Sequence, residues 1–345
     1  MHTSLTHRVL LSACAALWLS YIAPMSAFAQ TKEDNARTKD GKPVIELETE
    51  TVIGKKQRWD PKKTHPDVFD PVNSERWRSG FRESHPTEIP EDLKNVDALT
   101  RARALKRLIA CADGWYYPFS RTAPQSEMPG IDIDILREIV KRQGWRLHIV
   151  WANTGFNWDY ALRTTIDKGY CDFFVGLVHQ DADPDMIDHK MVYTRPYVGV
   201  GFVLAVQGKA ADVKSLADLK ARKIRVGVPM LSPMEDYVRA NKMEYELYAK
   251  SQGLIDGLIK RDVDAGMIWS GAMAVAKDQY DIEFDVVPDF VPQPGQRWNG
   301  VWAIKEKETQ MKEFLNDQLA TLLKEGKIKT IVESYAMPYF PPFND

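Results

Sequence analysis

From about residue 106 onward, short apolar runs alternate with stretches of helical period, and this alternation constrains the fold more than any other feature of the chain. "RLIACA" reads as a strand, "GIDIDILREIVKRQG" as an amphipathic helix closed by Gly144, "RLHIVWA" as a strand, "FNWDYALRTTIDKG" as a helix closed by Gly169, and "CDFFVGL" as a strand. Strands separated by helices of this length form parallel sheets through right-handed crossovers. "YVGVGFVLAV" breaks the rhythm as one long β run. A second alternation follows: helix "SLADLKA", strand "KIRVGV", helix "SPMEDYVRANK", strand "YELYA", helix "SQGLIDGLIKRD" and strand "AGMIW". Ser232, Pro233 and Glu235 supply an N-cap, a first-turn proline and a capping-box acid. "WNGVWAI" is β again, and two helices precede a proline-rich tail. The pattern predicts an α/β fold of two parallel-rich lobes joined by a two-segment hinge, near 195–205 and 297–304. Residues 94–197 with 298–345 would form one lobe and 198–297 the other.

The residues before this body differ in character. An apolar stretch after Arg8 ends in "SAFAQ", where Ala27 and Ala29 satisfy the small-residue rule for signal cleavage. Residues 1–29 are therefore expected to be a signal peptide, cut between Ala29 and Gln30, that sends the chain to the periplasm without an anchor. Residues 30–93 form a charged, then proline-dense extension, and proline forbids central strands and helix interiors. Trp59, Phe69, Trp77 and Phe81 are expected to pin this arm to the body, and "EDLKNVDALTRARALKR" to be helical. About 315 residues remain after the signal, more than one core usually serves.

Lys plus Arg total 46 against 48 Asp plus Glu, with no basic block, which argues against nucleic acid as a partner. No later run is apolar enough to span a membrane, and a monomer is expected. An oxidising compartment invites a bridge between Cys111 and Cys171. On neighbouring parallel strands, however, the two would be about four residues out of step, roughly 13 Å at ~3.3 Å per residue. A bridge spans at most about 7 Å between Cα atoms, so the geometry argues against what the compartment favours.

The order and spacing of "GIDIDILREIVKRQGW", "TRPYVGVGFVLAV", "LADLKARKIRVGVPMLSPMEDYVRAN" and "LIDGLIKRDVDAGMI" resemble the type II periplasmic solute-binding proteins, family 3, the polar amino-acid receptors of ABC importers. The resemblance covers about residues 106–338 and implies a hinged, two-lobed binding protein. Amino-acid receptors of this family grip the ligand carboxylate with an arginine and the ammonium group with an aspartate. Those places fall here on Ile187 and Trp269, and Met230 and Leu231 replace a Gly/Thr-rich loop. Each missing charge-assisted contact is worth about 1.5–3 kcal/mol, which makes an ordinary amino-acid receptor a poor expectation. Together with "GYCDFFVGL", "TRPY" and the tryptophan after "DAGMI", these departures resemble the MxaJ/XoxJ-type subgroup, solute-binding-like partners of PQQ-dependent alcohol dehydrogenases. That subgroup commonly carries "VWG" where this chain has "IWSG", and the proline-rich arm is foreign to it.

Ligands of open α/β sheets gather at the carboxyl ends of strands, which selects the candidate binding residues. Trp115, Tyr116 and Phe119 follow the first strand, Phe156 the second, and Gly176, Leu177 and Val178 end the third. Leu231 and Ser232 follow "KIRVGV", Trp269 and Ser270 follow "AGMI", Asn299 opens the returning β segment, and Arg195 stands beside Pro196. The aromatic excess suits a flat or apolar ligand or an inserted protein side chain. Trp158, on a helix, is expected to pack into the core. "DADPD" (Asp181–Asp185) lacks the glycine and glutamate of a calcium loop, at Met186 and Val192, and reads as a solvated acidic loop. No zinc, phosphate-loop or nucleophile-elbow motif is present, and no catalytic residue or metal ligand is assigned.

Two functions of different class remain. One is a secreted, non-catalytic partner of a quinoprotein alcohol dehydrogenase and its cytochrome c, with PQQ itself a possible ligand. The other is a receptor that delivers a small uncharged or aromatic solute to an ABC permease. A cyclohexadienyl dehydratase-like enzyme is the weakest expectation, because the carboxylate-gripping arginine is missing.

Overall fold

The computed structural model describes residues 89–121, 128–152, 154, 158–288, 290–292 and 294–344. The expected signal peptide, most of the expected arm with its four aromatics, and Phe156 lie outside these described residues.

A 3-10 turn at Glu91–Leu93 precedes α1 (Ala98–Leu105), so the stretch expected to be helical throughout is split. Asp97 causes the break: its carboxylate accepts the Thr100 N–H at 2.9 Å and starts the helix afresh. Next come β1 (Arg107–Asp113), the hairpin β2 (Trp115–Tyr116) and β3 (Ser120–Arg121), α2 (Ile131–Gln143), β4 (Arg146–Ala152), α3 (Trp158–Thr164) and β5 (Phe173–Val178). A short α4 (Pro184–Asp188) and β6 (Met191–Tyr193) lead to the long β7 (Val198–Val206). The second alternation comprises α5 (Leu216–Ala221), β8 (Val226–Pro229), α6 (Pro233–Ala240), β9 (Tyr245–Tyr248), α7 (Ser251–Ile259), β10 (Ala265–Trp269) and α8 (Ser270–Tyr280). After β11 (Asp285–Val286), β12 (Arg297–Lys305) returns the chain to α9 (Thr309–Lys324) and α10 (Lys327–Ser334).

The strands lie in the order β4-β1-β5-β12-β7-β10-β8-β9, with β6 against β12 and β11 against β7. β1 is parallel to β4 and β5, and β8 is parallel to β9 and β10. Between these parallel groups run the two antiparallel strands β7 and β12. β7 belongs to both halves: residues 198–201 pair with β12 and residues 202–206 with β10. The change of partner between Gly201 and Phe202 is the hinge of a two-lobed molecule. Every residue of β7 is buried, which accounts for its unbroken apolar sequence.

In the first half α2 presents Ile135, Leu136, Ile139 and Val140 to the sheet, beside Leu108, Phe173, Trp302 and the α9 leucines. Each such fully buried side chain contributes about 1.5–3 kcal/mol. Trp158 packs edge-on to Phe174, with ring centroids 5.1 Å apart, as part of the core on the other face of the sheet. Gly130, which precedes α2, has φ +130°, and a Cβ there would lie 2.2 Å from the Phe119 carbonyl oxygen. Only glycine lets the hairpin and the helix approach so closely.

The geometric expectation for the cysteines is corrected. Cys111 and Cys171 form a disulfide with Cα atoms 5.6 Å apart. The expectation treated Cys171 as a strand residue, but β5 begins only at Phe173. In the observed register Cys111 faces Phe174, three residues past Cys171. The Asp172 N–H still bonds the Ile109 carbonyl at 3.0 Å, while the chain before it turns off the strand axis and brings Cys171 under β1.

Candidate functional site

The carboxyl ends of β1, β4 and β5 and of β8 and β10 face the hinge, and there the structure gathers most of the candidate residues. The first-lobe side is built around Tyr116. Its ring stacks on Phe119 at 5.1 Å, and Gly176 packs beside it with φ +82°. A Cβ on Gly176 would stand 3.3 Å from the Tyr116 ring and 3.5 Å from Asp132 Oδ2, so glycine leaves the space that ring and carboxyl share. Phe119 is buried, and Leu177 belongs to the core on the opposite face, so neither is free to meet a ligand. Val178 is half-buried against the first-lobe core, and Trp115 is 54% exposed at the rim.

Two buried carboxyls flank Tyr116, and the sequence reading named neither. Asp113, the last residue of β1, accepts the Trp115 N–H at 2.6 Å and the Thr154 N–H at 3.1 Å. Burial raises its pKa, and those hydrogen bonds oppose the rise. Asp132 is fully buried, and its Oδ1 accepts the Trp302 indole N–H at 2.8 Å. The Tyr197 hydroxyl faces the same carboxyl without an aligned bond, so Oδ2 has no partner among the described residues. Burial pushes Asp132 up to about 7 against the lowering effect of Tyr197 and Trp302. Burial and both carboxyls also hold the Tyr116 phenol well above its ordinary value. The sequence did carry a signal for Asp132: it shares one face of α2 with Leu136, Ile139 and Val140, where a polar residue needs a partner inside.

On the second-lobe side Trp269 ends β10, and α8 starts at Ser270. Half-buried, the indole lies against Trp298 at 5.8 Å and Phe202 at 6.3 Å, and touches both the first- and second-lobe cores. Each such ring pair adds about 0.5–1.5 kcal/mol. Ser270 is fully buried and accepts the Gly201 N–H at 3.4 Å, which makes it a hinge support.

The amino end of α6 stands where a helix terminus would receive an anion, but the chain fills it. Ser232 Oγ accepts the Glu235 N–H at 3.3 Å and donates to the Pro229 carbonyl at 2.6 Å. Glu235 reaches back to the Leu231 N–H at 2.7 Å, one residue before the capping-box position. Leu231 itself is 68% exposed with φ +55°.

Two candidates are engaged by the chain itself. Asn299 has both amide atoms bonded to the backbone of Phe343, at 2.8 and 2.9 Å. Arg195 is exposed, and its N–H is tied to Asn316 on α9. Ile187, at the place of the carboxylate-gripping arginine, is 64% exposed on α4. In the acidic loop Asp183 caps α4 by accepting the Asp185 N–H and also takes the Tyr193 hydroxyl at 2.9 Å.

Arg121 crosses between the lobes. It pairs with Asp278 of α8 at 2.8 Å and lies 4.1 Å over the Tyr117 ring. A cavity of about 1130 Å³ opens among Glu91, Arg101, Asp167, Tyr170 and Lys307. It lies at the amino end of β5, the opposite edge of the sheet from the residues above.

The model of the bacterial extracellular solute-binding proteins, family 3, matches residues 108–338. The L-cystine solute receptor of Neisseria gonorrhoeae, in its unliganded open conformation, is 15% identical over 70% of this chain and 97% of its own, with a TM-score of 0.56. Substrate-binding domain 2 of Lactococcus lactis GlnP, also open, is 22% identical over 67% and 95%, with a TM-score of 0.54. The periplasmic binding protein XoxJ of Methylobacterium extorquens AM1 is 21% identical over 68% and 99%, with a TM-score of 0.48, a likeness too loose to separate one member of the fold from another. Among curated proteins none matches the sequence.

Proposed function

The chain belongs to the bacterial extracellular solute-binding proteins, family 3, and from that premise we propose that it is a periplasmic, non-catalytic member that recognises a protein, a PQQ-dependent alcohol dehydrogenase, in place of an amino acid. The observation that carries this reading is that the chain itself occupies the positions where a charged solute would be held. An indole stands at the end of β10, and the Glu235 carboxylate fills the amino end of α6. An apolar residue replaces the arginine on α4. What the hinge region offers instead is aromatic: Trp269 and Trp298 half-buried, Trp115 exposed at the rim. Half-exposed tryptophans of this kind are the usual anchors of protein interfaces. The motif resemblance to dehydrogenase-associated proteins supports the partner named.

Free PQQ, a quinone bearing carboxylates, does not fit these residues. Asp113, Asp132 and Glu235 are acidic, and Arg121 is already paired with Asp278. The ligand supported is therefore a surface of the dehydrogenase, with its cytochrome c as a further contact. Among the described residues no helix is long and apolar enough to cross a membrane, and the family is described as extracellular, which supports a periplasmic location.

The second reading, an ABC-importer receptor for an uncharged aromatic solute, is favoured by the same aromatic lining. Calorimetry on the mature protein separates these readings. No heat is expected with any standard amino acid, nor with uncharged aromatic solutes. Micromolar binding of an amino acid would overturn the premise that the charged anchors are lost, and binding of an aromatic solute would establish the receptor reading.

A further inference from the structure

The two lobes are connected by two covalent crossings, the β7 and β12 segments, and the structure adds ties that a hinged receptor does not need. After α10 the chain does not stop on the first lobe. Met337 and Tyr339 pack on the first-lobe core, and Phe340, the next residue, packs on the second-lobe core. In between, the tail crosses the two hinge strands at one place. Gly199 of β7 and Asn299 of β12 face each other in register. The Gly199 N–H donates to the Phe340 carbonyl at 2.9 Å, and the Asn299 amide makes both of its bonds, at 2.8 and 2.9 Å, to the Phe343 backbone. The Arg297 guanidinium covers the Phe343 ring at 4.5 Å, and Phe340 and Phe343 lie 5.8 Å apart. The path is specified by sequence: a Cβ on Gly199 would come within 2.7 Å of the Phe343 ring and of the Pro341 carbonyl oxygen. A second tie lies at the hairpin, where the Arg121–Asp278 pair joins β3 to α8, with the Arg121 side chain largely buried and Asp278 at the surface.

We propose that the carboxyl-terminal strap, residues 339–344, together with the Arg121–Asp278 clasp, holds the two lobes at one fixed angle without any ligand. A receptor that samples two angles uses its ligand to select one of them. Here contacts made by the chain itself select the angle. The aromatic rim then becomes a pre-formed surface, and a partner that binds it does not have to close the hinge first. The proposal holds for either reading of the partner, because it concerns the unliganded chain.

The test is the inter-lobe distance in the mature, unliganded protein, measured between spin labels on Lys141→Cys and Lys220→Cys, exposed positions on α2 and α5. One distance is expected, with any second population below about a tenth. Gly199→Ala displaces the strap while keeping the strand backbone, and Asn299→Leu removes its two side-chain bonds. Arg121→Gln removes the clasp. Each should raise the second population by about fivefold or more, the factor that corresponds to one hydrogen bond. Thermal melting confirms that each variant is folded, and deletion of residues 339–345 gives an independent form of the strap variant. Two comparable distances in the unliganded parent protein would overturn the proposal. So would unchanged distributions in folded strap and clasp variants.

Discussion

Replacing Cys111 and Cys171 together by alanine should destabilise the body strongly, and the size of the effect follows from where the bridge sits. The cysteines are 60 residues apart in sequence, and closing a loop of that size removes about 4.3 kcal/mol of unfolded-chain entropy at 25 °C. The native side adds little. Both residues are buried in a core that also holds Ile109, Val150 and Phe174, and alanine leaves only small voids there. The expected loss is about 4 kcal/mol, read from urea unfolding followed by tryptophan fluorescence. Reductant should lower the stability of the parent protein by a similar amount and leave the double variant unchanged. A double variant within about 1 kcal/mol of the parent would refute the reasoning, since the bridge would then not constrain the unfolded chain as the loop-entropy treatment requires.

Asp132→Asn tests the buried carboxyl. The folded pKa, about 7, lies above the ordinary aspartate value of 3.8, so the native state holds the extra proton. The parent's stability therefore falls as pH rises from about 4 to 7 and levels off above, by at most about 4 kcal/mol from this group. Asparagine keeps an acceptor for Trp302 and removes the charge, so the variant should match the parent near pH 4 and exceed it at pH 8 in urea melts. His189 lies between Asp167 (Nδ1, 2.5 Å) and Asp159 (Nε2, 3.1 Å), so His189→Leu removes one hydrogen bond from each, while Asp167 keeps Lys305 and Asp159 keeps Arg163. A loss of about 2 kcal/mol is expected by thermal melting. Gly130→Ala meets the Phe119 carbonyl and a forbidden φ together, and should abolish soluble expression or cost more than about 3 kcal/mol.

The alternation of strands and helices was legible because both signals are periodic and local. Gly144 ends α2 as the sequence indicates, with φ +66°, whereas the helix expected to reach Gly169 stops at Thr164, and Gly169, with φ +71°, closes a separate 3-10 turn at Ile166–Lys168. The long β7 run was legible as a strand; that it changes partner at Gly201 was not, because pairing is decided by residues nearly one hundred positions away. The bridge was misjudged for a similar reason, since a bend of two residues at Cys171–Asp172 changes a distance by several ångströms and leaves no mark on hydropathy. At the candidate site Trp269 could be found from its place after a buried strand, and Ser232 and Glu235 from capping chemistry. The roles of Asn299 and Gly199 could not, because their partner is the carboxyl-terminal tail. Asp113 and Asp132 passed as ordinary polar residues at the end of a strand and the start of a helix until the packing placed both beside one tyrosine.

The most direct measurement of the central claim is association of the protein with a PQQ-dependent alcohol dehydrogenase of the same cell, by interferometry, for the parent and for Trp269→Ala. Saturable binding by the parent is expected. A folded Trp269→Ala variant should bind at least tenfold more weakly, a loss of about 1.4 kcal/mol. Absence of binding by the parent, or equal affinity of the two forms, would contradict the claim that the aromatic hinge surface recognises this enzyme.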